Sequence, residues 1–319
     1  MKPYDISDAA TLAMILEVSA YPKPGNVHRT KDFKNTRYEH FLASAVSAKE
    51  VFQENVKTAK EEEPFKFGDL FYQAVLKSKT IQNGGNTHFG TFLLLLPLSY
   101  AAAALQEPGK NKNKRKDILQ KASEICRQTT FKDAVGFYEA YRLLEIPLQK
   151  IEKNDNVRPF DLSDPASVEN IKLKETPLFD IMAMGASRDM IATEWTNDFK
   201  KTARFAKKLK ARKKEFDKNP QKRFQSSLNS AVVYTFIEFM AQYPDTFIST
   251  KRNEKTAATV QKEAADIWNQ IKRTKNLKKH MKKIRKWDQT LQKRKLNPGS
   301  LADIAAAGIF IALLEGMEI

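Results

Sequence analysis

The sequence predicts an all-α protein, a single multi-helix domain over residues 1–319 in which polar loops converge on one cleft. Apolar residues recur mostly at helical spacing, as Leu12, Ile15 and Leu16 do. Alternating apolar and polar runs, the pattern of a half-buried strand, are scarce. Only 11 residues are glycine and 13 are proline, too few for a β-sandwich rich in tight turns. With 41% hydrophobic residues, the chain can bury a large core.

The helices are predicted from amphipathic runs and their boundary signals. The first, 6–21, has Ser7 or Asp8 as its cap and stops at Pro22. Further helices are predicted at 38–59, 69–81, from 87–90 to 105, at 117–128, 133–144, 178–216 and 226–242, then two more and a last one after Pro298. Between them we expect a solvated linker at 107–116 and an irregular surface excursion at 147–177.

Cysteine usage and the apolar runs suggest the compartment. Cys126 is the single cysteine, which excludes an internal disulfide and a zinc cage built from cysteines. We expect a reducing, cytoplasmic setting. The N-terminus lacks the layout of a signal peptide. The apolar runs 92–105 and 304–314 are shorter than the roughly 20 residues that span a bilayer, so no membrane partner is expected.

The net charge of +17 is concentrated in two segments. Segment 199–216 holds nine Lys and Arg residues, and segment 272–295 holds twelve with Asp288 as its one acid. Such segments suit a polyanionic partner: a nucleotide triphosphate, a coenzyme A-like molecule or RNA. A solvated lysine-rich helix face explains them equally well.

A glycine-rich polar loop, QNGGNTHFGT (82–91), runs directly into an apolar helix. The first N–H groups of a helix are unpaired and lie at the positive end of its dipole, so a phosphate can bind there. Glycines let it approach closely. Candidate ligand-binding residues are Gly84, Gly85, Asn86, Thr87 and Gly90, with His88 as a proton shuttle or phosphate donor. The alternative is an ordinary capped turn.

Three other polar loops lie beside apolar segments and could share the same site. YPKPGNVHR (21–29) offers Lys23, His28 and Arg29, whereas YPDTFISTKRN (243–253) offers Asp245, Lys251 and Arg252. LNPGSLADIAAAG (296–308) places Gly299 and Ser300 just before a buried helix and Asp303 in its first turn. One such loop is weak support for a site, and the set of four is stronger.

The order of these motifs resembles the triphosphoribosyl-dephospho-coenzyme A synthase family. The motifs are LEVSAYPKPGNVHR, GGNTHFGT before an apolar helix, FDI, PDTFISTKR and LNPGSLADIAAA. The family pattern is approximately E-x4-PKPG-x-V, NTHKG, a central Asp, an Asp-containing loop and PGGSADLLA. The likeness is good over residues 16–91 and looser over 178–314.

The resemblance implies an all-helical, ATP-dependent transferase that uses ATP as co-substrate and Mg²⁺. The family joins C1′ of the ATP ribose to the 2′-hydroxyl of dephospho-CoA and releases adenine. Such glycosyl transfer passes through an oxocarbenium-like state, which a nearby carboxylate stabilises. The departing adenine needs a proton donor, and the triphosphate needs cations and N–H groups.

Residue roles follow from the resemblance. As catalytic residues it implies His88, Asp303, Asp245 and Glu17. As residues that bind ATP or the acceptor it implies Lys23, Gly25, Arg29, Gly84, Gly85, Asn86, Thr87, Gly90, Arg252, Gly299 and Ser300. As metal ligands it implies Asp32 and Asp180. Glu17 on a solvated face and Asp180 as a helix cap are the plain structural alternatives.

The chain departs from the family pattern at two positions and in its basic segments. Phe89 stands where the family has lysine, and Leu301 stands where it has serine. The acceptor is therefore expected to be dephospho-CoA or another polyanion. The alternative function is a basic helical nucleic-acid-binding protein without catalysis, although no RNP-type or KH motif is present.

Overall fold

A computed structural model of the chain describes residues 5–106, 115–144 and 160–319. These residues form helices and no β-strand, so the predicted all-α class is confirmed. The helices are α1 (Ile6–Ser19), α2 (Tyr38–Ser47), α3 (Lys49–Lys60), α4 (Phe67–Thr80), α5 (Phe89–Ala104), α6 (Arg115–Arg127), α7 (Phe131–Leu143), α8 (Ser167–Leu173), α9 (Leu178–Gly185), α10 (Met190–Thr196), α11 (Lys200–Lys218), α12 (Ser227–Gln242), α13 (Thr246–Lys251), α14 (Glu254–Thr274), α15 (Leu277–Lys293) and α16 (Gly299–Leu314).

Two predicted helices are broken in the structure. The helix expected over 38–59 is interrupted at Ala48. The segment 178–216, expected to be helical, contains three helices: α9, α10 and α11. The second break occurs where Asp198 and Phe199 adopt left-handed backbone angles (φ 61° and 53°) between α10 and α11. The Glu194 carboxylate, fully buried, accepts hydrogen bonds from the first N–H groups of α11 and stabilises this new N-terminus.

The two segments expected to lack helices are partly helical. Of the linker 107–116, residues 107–114 lie outside the described residues, and Arg115 and Lys116 begin α6. Of the excursion 147–177, residues 147–159 lie outside the described residues, and Ser167–Leu173 form α8. Ile171 of α8 is fully buried, so this helix is packed into the protein.

Helices α5 and α16 form the centre of the core. Twelve of the sixteen residues of α16 are buried, as is nearly all of α5 from Thr91 onward. Both helices are apolar on every side, the pattern of a helix surrounded by others; α16 packs against α11, α1 and α5. Their N-termini lie where the polar loops meet, so the core positions the candidate site.

Candidate active site

A buried ion pair joins the end of α1 to the proline loop 21–29. The Lys23 ammonium contacts the Glu17 carboxylate and also donates to the Glu17 carbonyl oxygen at 3.0 Å. Lys23 is 1% exposed and Glu17 4% exposed. Burial lowers the pKa of Lys23 and raises that of Glu17, and each partner opposes the shift of the other. Neither side chain lies on a solvated face.

The proline loop packs on the end of α15 and the segment after it. Gly25 has φ +81°, and a β-carbon there would lie 2.5 Å from the Leu296 carbonyl oxygen. Its N–H donates to Oδ1 of Asp288 at 2.9 Å, and Nε2 of His28 lies 3.0 Å from Oδ2 of Asp288. Gly25 therefore serves close backbone packing, which only glycine permits here.

His88 precedes α5 and lies almost wholly inside the protein, 2% exposed. Its Nδ1 is 2.8 Å from the Ser44 hydroxyl, which is 2.6 Å from the Ser78 hydroxyl. Its Nε2 has no hydrogen-bond partner among the described residues. Burial lowers the pKa of His88 to about 3, and the Lys23 ammonium makes a smaller contribution to the same shift. The imidazole is therefore neutral at physiological pH.

Gly84 and Gly85 of the loop 82–91 contact other parts of the protein. A β-carbon at Gly84 would collide with the His40 ring, and the Gly85 N–H donates to the Asn35 carbonyl at 3.0 Å. The exposed Asn86 accepts from the Phe89 N–H at 3.1 Å and so caps α5. These contacts agree with the capped-turn alternative, and the assignment of Gly84, Gly85 and Asn86 to ligand binding stays a prediction. The Thr87 hydroxyl lies 3.1 Å from that of Ser78.

Asp303 of α16 lies against the first turn of α5. Its Oδ1 accepts from the Thr91 hydroxyl at 2.5 Å, and its Oδ2 fills the space where a side chain at Gly90 would be. Burial raises the pKa of Asp303 well above its ordinary value, and the carboxylates of Glu17 and Asp245 raise it further. The Asp303 charge in turn raises the pKa of Lys23, so the two charges are close enough to interact.

Asp245 connects the N-termini of α13 and α16. Its Oδ1 accepts from the Ile248 N–H at 3.0 Å and its Oδ2 from the Leu301 N–H at 2.8 Å. Burial raises the pKa of Asp245 to about 7, although these N–H groups oppose the shift. Beside it, the Ser300 hydroxyl lies 2.9 Å from that of Thr246. Asp245 and Ser300 thus tie two loops of the site together.

Comparison with known proteins decides the family. A model of the CitG family, ATP:dephospho-CoA triphosphoribosyl transferase, matches residues 3–318. The chain belongs to this family. The chain is also similar to a solved structure from Archaeoglobus fulgidus, which is provisionally assigned as a triphosphoribosyl-dephospho-CoA synthase. The two share 26% identity with a TM-score of 0.62, and the match covers 86% of this chain and 99% of that one. No curated protein matches the chain significantly. The resemblance inferred from the motifs is confirmed, and the chain is a transferase of the CitG family.

The structure brings together five of the residues predicted for this CitG-family site. They come from four separate stretches of chain and influence one another's pKa values: Glu17, Lys23, His88, Asp245 and Asp303. A β-carbon at Gly90 would collide with Oδ2 of Asp303, one at Gly25 would meet the Leu296 carbonyl, and one at Gly299 would lie 3.2 Å from the Phe247 ring of α13. One buried cluster of an ammonium, an imidazole and several carboxyl groups results.

Two other predicted residues of the CitG-family protein, both cations, are engaged elsewhere. Arg29 is exposed, contacts the Gln225 side chain and donates to Oδ1 of Asn229 at 3.2 Å. Arg252 is exposed and donates to the Arg294 carbonyl at 3.4 Å. Neither makes a contact with the buried cluster among the described residues. Their assignment to ligand binding stays a prediction.

The predicted metal ligands do not form a ready metal site. Asp32 is exposed and accepts from the Tyr38 N–H at 2.8 Å, and Asp180 is exposed on α9. Among the residues that the structure describes, no group of three or more His, Cys, Asp or Glu side chains is arranged to hold a metal ion. Protein sites for Mg²⁺ need carboxylate oxygens that converge. The assignment of Asp32 and Asp180 to Mg²⁺ therefore stays a prediction.

Sequence reasoning missed Asp189, which contributes to the carboxyl cluster. It caps α10 by accepting from the Ile191 and Ala192 N–H groups, both at 2.8 Å. Its charge raises the pKa of Asp245 and of Asp303. The signal was an Asp directly before the apolar run MIATEW, a common capping pattern, but it was hidden inside a helix predicted to be continuous.

The two departures from the family pattern have local explanations. The Phe89 ring packs against Phe71, Phe137 and Tyr141 at centroid distances of 4.9, 5.7 and 5.6 Å. Leu301 is 1% exposed in the core and uses only its backbone N–H toward Asp245. Both positions therefore serve packing in this member of the family.

The nucleic-acid-binding alternative is not supported. It rested on the basic segments, and aromatic rings exposed among the lysines of segment 199–216 would have favoured it. Phe199, Phe205 and Phe216 are instead buried, at 0%, 0% and 1% exposure.

No helix among the described residues has both the length and the apolar character to cross a bilayer.

Proposed function

We propose that the chain transfers the triphosphoribosyl group of ATP to the 2′-hydroxyl of dephospho-CoA and releases adenine. A bond forms between the acceptor oxygen and C1′ of the ATP ribose, and the bond from C1′ to N9 of adenine breaks. The observation that carries this proposal is the contact of Asp303 with Thr91 in the first turn of α5, three residues after His88, together with the electrostatic interaction of Asp303 and His88 with Lys23. An ammonium, a neutral imidazole and a carboxyl with a raised pKa are the groups this reaction requires.

Lys23 is the residue that holds the triphosphate. Its ammonium is pre-positioned by Glu17, and its buried surroundings strengthen its attraction to an anion. The N–H groups in the first turn of α5, beside Gly90, add the positive end of a helix dipole. An arriving phosphate oxygen replaces part of the contact between Lys23 and Glu17.

Asp303 accepts the proton of the attacking hydroxyl. Neighbouring carboxylates and burial raise its pKa, so its ionised form is a stronger base than an ordinary aspartate. The Thr91 hydroxyl fixes one of its oxygens, which leaves Oδ2 for the substrate. The proton moves from the 2′-oxygen to Asp303 as the new glycosidic bond forms, and the departing adenine takes up one proton at a ring nitrogen, so no net proton is gained or lost.

His88 acts as a neutral hydrogen-bond donor. When Nδ1 accepts from the Ser44 hydroxyl, the ring hydrogen is on Nε2, the atom without a partner in the protein. Nε2–H can donate to a phosphate oxygen or to a ring nitrogen of the departing adenine. Asp245 has both oxygens engaged by backbone N–H groups. Its role is to position α16, and with it Asp303.

The decisive experiment follows free adenine by chromatography in a mixture of protein, ATP, Mg²⁺ and dephospho-CoA. Adenine that appears only with dephospho-CoA supports the reaction, and Asp303→Asn is expected to abolish it. Asp266→Asn, at an exposed aspartate of α14 that has no predicted role, is the matched control and should retain activity. Chelation of Mg²⁺ in the same assay tests the predicted need for that ion.

Two other outcomes have definite meanings. ATP binding by calorimetry without adenine release indicates a different polyanionic acceptor. Absence of both ATP binding and adenine release contradicts the proposed function. A cytoplasmic location, expected from the single cysteine, belongs to the same proposal and is tested by cell fractionation.

A further inference from the structure

The basic segment 272–295 supplies a buried acid that contacts the proline loop. Asp288 is the one acid among twelve cations there, yet it is 5% exposed and lies on the inner face of α15. Burial of an ionisable side chain is unfavourable unless its hydrogen bonds are satisfied. Its contacts therefore indicate what it does.

Asp288 contacts the proline loop at two residues and one side chain of its own helix. Oδ1 accepts from the Gly25 N–H at 2.9 Å and from the Gln292 side chain at 3.0 Å. Oδ2 is 3.0 Å from Nε2 of His28, whose Nδ1 is 3.2 Å from the Thr30 hydroxyl. His28 is 1% exposed. The carboxylate thus fixes the loop at two points, two and five residues after Lys23.

Helix α15 is a firm support for these contacts. Its other buried residues include Leu291, which is 0% exposed. The Trp287 indole N–H donates to the Glu263 carboxylate of α14 at 2.9 Å, and Arg294 pairs with Glu263 at 2.6 Å. A side chain anchored on a rigid helix places its partners more accurately than one on a loop.

We propose that Asp288 is a positioning residue for the transferase reaction. By holding Gly25 and His28 it fixes the proline loop so that the Lys23 ammonium stands at the triphosphate position, and its charge acts on Lys23 as well. This role rests on the proposed function insofar as Lys23 binds the triphosphate. The placement of the loop and the charge on Lys23 can be tested without turnover.

The charges that face Lys23 come from four elements. Glu17 of α1, Asp303 of α16 and Asp288 of α15 raise the pKa of Lys23 against the effect of burial. His88, before α5, is neutral. Removal of the Asp288 charge therefore lowers the pKa of Lys23, and the cationic form is lost at a lower pH.

Two variants separate the hydrogen bond from the charge. Asp288→Asn keeps an acceptor for the Gly25 N–H but removes the charge, whereas Asp288→Ala removes both. Asp266→Asn, at an exposed carboxylate of the neighbouring α14, is the control. Two readouts need no catalysis: amide hydrogen exchange at Gly25, and the pKa of Lys23 by NMR of ¹³C-lysine-labelled protein, assigned with Lys23→Arg.

We expect faster exchange at Gly25 in Asp288→Ala but not in Asp288→Asn, and a lowered pKa of Lys23 in both. In adenine release, KM for ATP should rise about tenfold in Asp288→Ala, with kcat changed by less than about threefold. The KM of Asp288→Asn should approach the wild-type value at low pH and diverge from it as pH rises. Asp266→Asn should match wild type throughout.

The two proposals fail in different ways. Wild-type protein that neither binds ATP nor releases adenine contradicts the proposed function, and the exchange and NMR data still judge the role of Asp288. An unchanged pKa of Lys23 together with unchanged exchange at Gly25 overturns that role. So does a proportional loss of kcat in Asp288→Ala with KM unaltered.

Discussion

The carboxylate of Asp303 lies against Gly90 in the first turn of α5, in space that any side chain at position 90 would fill. This contact brings an acid from near the C-terminus to a helix N-terminus in the first third of the chain. The Lys23 ammonium is near enough to influence both Asp303 and His88. The adjacency of α5 and α16 is therefore what the site depends on.

Gly90→Ala should reduce kcat/KM for adenine release about 100-fold, because the new methyl group displaces Asp303 and small misplacements of a reacting group have effects of that size. Gly185→Ala in α9 is the control, since its nearest neighbour, Ala192, would be at an ordinary 3.8 Å. Both variants should fold, as judged by circular dichroism. Full activity in Gly90→Ala would contradict the placement of Asp303.

Lys23→Met should lower the free energy of unfolding by about 3–5 kcal/mol, because it leaves the Glu17 carboxylate buried without a partner. Adding Glu17→Leu should recover much of this loss. Urea denaturation of the two single variants and the double variant measures the coupling. Neither Lys23 variant should bind ATP in calorimetry. If the loss of stability in the double variant equals the sum of the losses in the two single variants, the buried pair is not coupled.

The stability of the protein should fall as pH rises from about 4 toward 7, in part because of Asp245. Its pKa is ordinarily 3.8 and about 7 in the folded state, so the folded protein binds a proton there that the unfolded chain releases. In Asp245→Asn, the free energy of unfolding should change less over this pH range, by up to about a few kcal/mol. Urea unfolding at pH 5, 6, 7 and 8 measures it, with Asp180→Asn as control. Identical slopes in wild type and Asp245→Asn would count against a raised pKa.

The His88 imidazole should remain neutral between pH 5 and 8, because burial lowers its pKa to about 3. Its NMR resonances, assigned with His88→Gln, should therefore not shift over that range. Ser44→Ala removes the partner of Nδ1 and should slow adenine release about tenfold through loss of one hydrogen bond. A titration of His88 near pH 6 would show that the ring is solvated.

Phe89→Lys, which restores the family residue, should destabilise the protein by about 2–4 kcal/mol and leave ATP affinity no better. The ammonium would replace a ring that packs between Phe71 and Tyr141. Thermal unfolding and calorimetry measure the two effects. Phe89→Leu should lose less stability, since it stays apolar. Tighter ATP binding in Phe89→Lys would show that the side chain can reach the site.

Much of the fold could be predicted from local pattern. Helical periodicity and proline stops identified most helices, and the apolar character of α5 and α16 marked them as central. Helix breaks were not predicted, since the left-handed residues Asp198 and Phe199 have no glycine to signal them. The break at Ala48 has no evident local cause.

The sequence alone determined the all-α class, the family, and the chemical types gathered in the motif loops. Those properties are local or follow motif order. Only the tertiary structure decided which candidates meet: Lys23, His88 and Asp303 converge, whereas Asp32 and Asp180 remain on the surface. It also gave Gly84 and Gly85 a packing role and showed the contacts of Asp288. Contacts such as that of Gly25 with Asp288 join residues more than two hundred positions apart, and burial in the shared core, which no local pattern records, determines them.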